Sequence, residues 1–305
     1  MPIDEIALNF SPAGLLVMNI VLGIVMFGIA LDMKLGDFKL IVNLPRSMLI
    51  GLLGQFLLLP ALTFMLVYLL RPAPSMALGM ILVAACPGGN ISNFFTHLAR
   101  GNTALSVCMS AVSTASAVVM TPLNFTFWGS LYPDATLILR TVAVNAGDLA
   151  ATIFLLLGLP LSTGLYISHR YPRWAARVKR PMRYFSMGFF VLFVLSALAV
   201  NFEYFINYVH IVALIVLVHN GLALLGGYFS ARMVGLPEND RRAVAIEVGI
   251  QNSGLGLILI FNFFDGLGGM AIIAAWWGIW HIISGMFLAS FWARRAPEEA
   301  LADGT

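Results

Sequence analysis

Cys86-Pro87-Gly88-Gly89-Asn90-Ile91-Ser92-Asn93 puts a proline, two glycines and three polar side chains in the middle of the apolar run Ser75 to Ala99. That run is long enough to cross a bilayer. Proline removes a backbone donor and clashes with the turn before it, and glycine tolerates unwound backbone. Broken backbone at membrane depth survives only where it is buried in protein or lines a cavity. A second stretch of this kind, Glu247-Val248-Gly249-Ile250-Gln251-Asn252-Ser253-Gly254, lies in the other half of the chain. Interrupted apolar segments in corresponding places of two halves point to the binding site of a carrier.

The composition agrees with a membrane setting. Of 305 residues 60% are hydrophobic and 10% charged, and mean hydropathy is +0.91. Soluble domains carry about 25% charged residues, so the fold class expected is an all-α polytopic membrane protein. The net charge of +3 is no mark of nucleic-acid binding, because the basic residues sit in short stretches between apolar runs. Cys86 and Cys108 both fall inside apolar runs and read as reduced, buried thiols with no metal or disulfide pattern. Met1 to Phe10 lacks the basic n-region of a signal peptide and does not resemble a transit peptide.

Runs of roughly 20 apolar residues predict nine transmembrane helices. They cover about Pro12 to Leu31, Met48 to Leu70, Ser75 to Ala99, Ala104 to Trp128 and Ala135 to Ser168. The rest are Tyr184 to Val200, Tyr208 to Met233, Ala243 to Phe264 and Ala271 to Trp292. The fifth is longer than a bilayer needs, so part of it should tilt or project. Arg100-Gly101-Asn102-Thr103 reads as a tight re-entry turn. With the N-terminus outside and the C-terminus cytoplasmic, the inner segments collect Lys34, Lys39, Arg46, Arg100, the Arg170 to Arg183 loop, Arg232, Arg241, Arg242, Arg294 and Arg295. Only Arg71 and Arg140 of the 17 basic residues fall elsewhere. Pairing spans one to four with six to nine makes inverted repeats, which puts the two breaks in equivalent third and eighth spans. The tail, 296–305, reads as disordered.

Acidic residues inside spans are costly and so are functional candidates. Glu247 and Asp148 are the deep ones, with Glu203 near an outer end. A carboxylate at Glu247, beside carbonyls freed by the break, suits a hard monovalent cation that wants oxygen ligands; a proton carrier and a hydrogen-bonded structural glutamate are the alternatives. Ser106, Ser110 and Ser113 recur at i, i+4 and i+7 and share a helix face. They read either as helix glue or, with Ser92 and Asn93 just after the break, as part of a cation shell. Gln55 and His281 each read as a ligand or as an interhelical hydrogen bond. Asp148 has only Asn145 as a polar neighbour. Half-helix N-termini at Asn90–Ile91 and at Asn252 to Gly254 carry positive partial charge and free amides, so an organic anion driven by a cation is the expected cargo. No hydrolase or nucleotide-binding motif occurs, and the chain reads as a carrier, not an enzyme.

At these residues the chain resembles the bile acid:sodium symporter family, including its bacterial members. The specific stretches are Cys86 to Asn93, Leu98-Ala99-Arg100-Gly101-Asn102, Leu105-Ser106-Val107 and Glu247 to Gly254, within a likeness running from Pro12 to Trp292. The resemblance implies an NhaA-like fold with two broken, crossing helices. A core (about 48–128 and 208–292) would move against a panel (about 12–31 and 135–200) in a cell (inner) membrane. It implies two sodium sites: Ser92, Asn93, Ser106, Ser110 and Glu247 for the first, and Gln55, Glu247, Val248, Ile250 and Gln251 for the second, with backbone oxygens at the apolar positions. Its substrate region would hold Asn90, Ile91, Asn252 and His281. Relatives carry bile acids, pantoate, pyruvate and other organic anions. The chain departs from the family at Ser110 (often Thr), Asn90 (often Thr) and Ile282 (often Asn); the last two lie near the implied substrate region and leave the cargo open. The rival functions are a proton-coupled carrier using Glu247 and an uncoupled membrane binding protein or channel. No GxxxG face or zipper dominates to indicate an oligomer.

Overall fold

The computed structural model describes residues 3–5, 12–31, 44–136, 138–139, 145–200 and 202–295. Lys34, Lys39, Arg140 and the tail expected to be disordered lie outside the described residues. Among the described residues the chain is helical, with one isolated antiparallel bridge between Gly88 and Gln251.

The helices are α1 (Pro12–Ala30), α2 (Pro45–Leu70), α3 (Pro74–Ala85), α4 (Ile91–Leu98), α5 (Thr103–Ser130) and α6 (Ala146–Arg170). They continue as α7 (Pro172–Val200), α8 (Phe202–Met233), α9 (Glu238–Gly249), α10 (Ser253–Phe263) and α11 (Gly268–Ala293). Among the described residues five helices are long and apolar enough to cross a membrane, namely α2, α5, α6, the Ile206–Met233 part of α8, and α11. Large apolar side chains such as Leu57, Leu69, Phe127, Leu155 and Phe287 face outward along them, as the lipid-facing side of a membrane bundle requires.

Both expected breaks are present. α3 stops at Ala85 and α4 starts at Ile91, while α9 stops at Gly249 and α10 starts at Ser253. The unwound segments lie across each other: the Gly89 amide donates to Ile250 O at 2.6 Å, and the Asn252 amide donates to Pro87 O at 2.9 Å. The two glycines make this crossing possible. A β-carbon at Gly88 would fall on Glu247 Oε1, and one at Gly89 would meet Gln251 O at 2.9 Å. α3 is buried on every side, and it packs against α2, α5 and α11. α8 lies along α9 and α11, whereas α1 packs mainly on α6 and α7.

Several sequence readings need correction. Asp148 is exposed in the first turn of α6, whose N-cap is Asn145; it is no deep carboxylate, and it lies where the helix dipole favours a negative charge. That helix begins at Ala146, inside the fifth apolar run. The basic stretch between the fifth and sixth runs is largely helix, because α7 starts at Pro172, a favoured first helical residue, and runs on through Pro181. The re-entry turn holds as read: Arg100 takes φ +54°, and Asn102 caps α5 by accepting from the Leu105 amide at 3.0 Å.

Two π-helical turns, Gly54–Leu58 in α2 and Phe154–Gly158 in α6, have no counterpart in the sequence reading. Each sits just before a Leu-Pro pair (Leu59-Pro60 and Leu159-Pro160). A helical proline clashes with the carbonyl of the preceding turn, and widening that turn relieves the clash. The first widened turn carries Gln55 into the bundle, where it is 1% exposed.

Candidate functional site

Glu247 sits two residues before the last residue of α9, at 1% exposure, and two helices, α4 and α5, supply its partners. Ser92, on the second residue of α4, donates to Oε2 at 2.6 Å. From α5, Ser110 Oγ lies 2.8 Å from Oε1 and 2.9 Å from Oε2, and Ser106 Oγ lies 3.4 Å from Oε2. Asn93 joins them through Oδ1, 2.8 Å from Ser106 Oγ and 3.3 Å from Ser110 Oγ. Ser92 Oγ and Ser110 Oγ are 3.3 Å apart. Each hydroxyl owns one proton, so three protons cannot serve all these approaches, and oxygen lone pairs are in surplus. No Lys or Arg pairs with Glu247 among the described residues. The chemistry of this all-oxygen set fits a small hard cation or an added proton. All five residues expected for the first cation site are therefore brought together. Ser113, on the same face of α5, bonds back to Ser110 O at 3.1 Å and stays outside the cluster.

The second group is assembled in part. Gln55 and Gln251 exchange amide hydrogen bonds, Gln55 Nε2 to Gln251 Oε1 at 2.8 Å and Gln251 Nε2 to Gln55 Oε1 at 3.0 Å. Gln251 Nε2 also donates to Val248 O at 2.7 Å, and Gln55 Nε2 to Cys86 O at 2.8 Å. Gln55, Gln251 and the Val248 carbonyl thus meet. Ile250 O is held by the Gly89 amide, and the Glu247 carboxylate is turned to the serines.

At the half-helix starts, Asn90 is half-buried without a side-chain capping bond, and Ile91 is 37% exposed beside it. Asn252 Oδ1 caps α10 by accepting from the Leu255 amide at 3.1 Å, which leaves its buried Nδ2 with no partner among the described residues. His281 is buried on α11 with Nδ1 likewise unmatched. Unmatched buried polar atoms are costly, and an unmatched amide donor at a helix N-terminus suits an anionic ligand.

Sequence reasoning missed several residues that serve the breaks. Thr121 on α5 donates to Ala85 O at 2.7 Å, and Asn220 on α8 donates to Gly249 O at 2.7 Å. Ser284 on α11 donates to Asn220 Oδ1 at 2.6 Å. Near the start of α9, Asp240 accepts from Ser47 at 2.5 Å and from Asn102 at 2.8 Å. Arg242 Nη1 donates to Ala99 O at 2.9 Å and Trp292 O at 3.2 Å. The signal for Asn220 was the polar pair His219-Asn220 in mid-span. Its neighbour His219 bonds Thr63 (Nε2 to Oγ1, 2.6 Å) and packs edge-on to Trp277.

Comparison with known proteins matches residues 19–208 to the sodium bile acid symporter family. The chain is 33% identical over 281 residues to YocS of Bacillus subtilis, named an uncharacterized sodium-dependent transporter, covering 92% of this chain and 84% of that one. A match of that length is too long to leave either break outside it. The chain is 32% identical over 278 residues to the "probable sodium/metabolite cotransporter BASS1, chloroplastic" of Arabidopsis thaliana, covering 91% of this chain and 67% of the relative. It is 29% identical over 242 residues to the ileal sodium/bile acid cotransporter of Oryctolagus cuniculus, covering 78% and 67%.

Proposed function

Because this chain belongs to the sodium bile acid symporter family, a family of sodium-dependent membrane transporters, we propose that it is a sodium-coupled symporter of an organic anion working by alternating access. The observation that carries this reading is the buried, unpaired Glu247 carboxylate within an oxygen-only cluster at the crossing of two broken helices. Ser92, Asn93, Ser106, Ser110 and Glu247 hold one sodium ion. Gln55, Gln251 and the carbonyls of Val248 and Ile250, with Glu247 beside them, hold a second. Asn90, Ile91, Asn252 and His281 face the anion. The chain spans an inner membrane nine times with its N-terminus outside, as inverted repeats in an NhaA-like fold. A core built on α2 to α5 and α8 to α11 moves against a panel of α1, α6 and α7.

Coupling follows from the crossing. A cation at Glu247 draws α4, α5 and α9 onto one charge, which fixes the two half-helix N-termini that bind the anion. Each ligand then favours the other by the same free energy, typically 1–3 kcal/mol. The cargo is an organic anion with a carboxylate or sulfonate, of the bile acid or small-metabolite class named for the relatives.

The test is uptake of radiolabelled pantoate and taurocholate into proteoliposomes under an inward sodium gradient, an equal potassium gradient, or an inward proton gradient. Accumulation of either solute with sodium alone supports the symporter. Accumulation with protons and no sodium replaces it by the proton-coupled carrier, which the unpaired Glu247 would also serve. If neither solute accumulates, thermal stabilisation by sodium over potassium separates a wrong cargo from a wrong driving ion.

A further inference from the structure

The crossing of the two breaks has a two-fold pattern in its bonds. Around the Gly88–Gln251 bridge, Gly89 donates to Ile250 and, in exchange, Asn252 donates to Pro87. A side-chain amide then reaches in from a neighbouring helix on each side. Gln55 of α2 donates to the carbonyl of Cys86, two residues before Gly88, at 2.8 Å. Asn220 of α8 donates to the carbonyl of Gly249, two residues before Gln251, at 2.7 Å. Gln55 and Asn220 hold equivalent places about the crossing, and each is 1% exposed.

We infer that Asn220, oriented by Ser284, is a positioning residue for the sodium site formed at the second break. This rests on the sodium-coupled reading above. Gly249 ends α9, and its carbonyl has no helical donor, since the Ser253 amide turns instead to Gln251 O at 2.9 Å. Flanking it are the Val248 and Ile250 carbonyls, the two backbone oxygens assigned to that site. Fixing the middle peptide fixes the direction of both. The Asn220 amide has little freedom of its own, because Ser284 donates to its Oδ1 at 2.6 Å. Ser284 stands one turn beyond His281 on α11 and also approaches His281 O at 3.3 Å. The chain Gly249–Asn220–Ser284 therefore ties the carbonyl geometry of the ion site to the helix carrying the histidine of the anion site. It is built from two side chains of different helices, neither of them among the residues assigned to the ions or the anion.

The experiment measures sodium half-saturation from the sodium-over-potassium shift in melting temperature of purified protein. It compares wild type, Asn220→Leu (similar shape, no amide donor), Ser284→Ala and the double variant. Asn220→Leu should raise half-saturation about tenfold, the effect of leaving one buried carbonyl unmatched beside the ligands. Ser284→Ala should move it the same way by less, and the double variant should match Asn220→Leu, because one linked bond is being removed twice. A purely structural role lowers the unliganded melting temperature and leaves half-saturation unmoved, and that result in Asn220→Leu overturns the inference alone. If Asn220→Leu does not fold, an unmoved half-saturation in Ser284→Ala overturns it equally. A wild-type protein that sodium does not stabilise overturns the sodium reading and this inference with it.

Discussion

Gly88 lies against the carboxylate of Glu247 so closely that a β-carbon there would fall on Oε1. The first break therefore supplies the wall of a charge carried by the second. Gly88→Ala should push the carboxylate off the three serines without removing any ligand. We predict a loss of sodium-dependent uptake of at least about tenfold, ~1.4 kcal/mol, with the protein still extracted as a monodisperse peak. Uptake at the wild-type level with unchanged sodium dependence would show that the contact is idle.

The serine ring makes a graded prediction. Glu247→Ala should abolish sodium-dependent uptake and the sodium-induced thermal shift while leaving a folded protein, since it removes the only charge in the cluster. Ser110→Ala should weaken sodium about tenfold, a hydroxyl's share of roughly 1–1.5 kcal/mol, and Ser110→Thr should restore it. Titrating uptake against sodium for the three variants decides the matter. Equal sodium affinity in Ser110→Ala and wild type would remove Ser110 from the site.

How much of this was open to the sequence depends on where each signal lives. The breaks were legible because Pro87, Gly88 and Gly89 act on their own backbone, and the Glu247 cluster because Ser106 and Ser110 share a helix face. Asp148 misled because an apolar run hides a capped helix start at Asn145 and Ala146. The widened turn that delivers Gln55 left no mark beyond Pro60, since an i to i+5 bond has no side-chain period of its own. Asn220, Thr121, Asp240 and Arg242 act on carbonyls and side chains far along the chain. Spacing within one segment cannot reveal them.

Arg242 illustrates that last class and carries a stability prediction. Its guanidinium is 4% exposed and closes the ends of α4 and α11 by donating to Ala99 O and Trp292 O, with Nε on Glu238 at 3.1 Å. Arg242→Ala strands the buried Ala99 carbonyl, at about 1–3 kcal/mol, and takes one of two donors from the Trp292 carbonyl, which keeps the Arg295 amide at 3.0 Å. Arg242→Lys should recover only part of this, because an ammonium lacks the planar fork. Melting temperature should fall in the order wild type, Lys, Ala, as followed by thermal unfolding in detergent. Wild-type melting of the Ala variant would make the bonds incidental.

Asn19 on α1 and Asn262 on α10 exchange amide bonds at 3.2 and 3.1 Å, which joins the proposed panel to the proposed core. If core and panel slide during each cycle, this pair must separate in one of the two end states, because two mutual amide bonds cannot stretch with the seam. The native Cys86 and Cys108 are buried, so thiols introduced at positions 19 and 262 can be addressed selectively. Oxidising Asn19→Cys/Asn262→Cys should stop uptake, and reductant should restore it, while each single variant transports normally under both conditions. The arrest should spare sodium's thermal stabilisation, since the cluster at Glu247 is built entirely within the core. A cross-linked carrier that still turns over would mean that α1 travels with α10, and the dividing line between the moving parts would have to be drawn elsewhere.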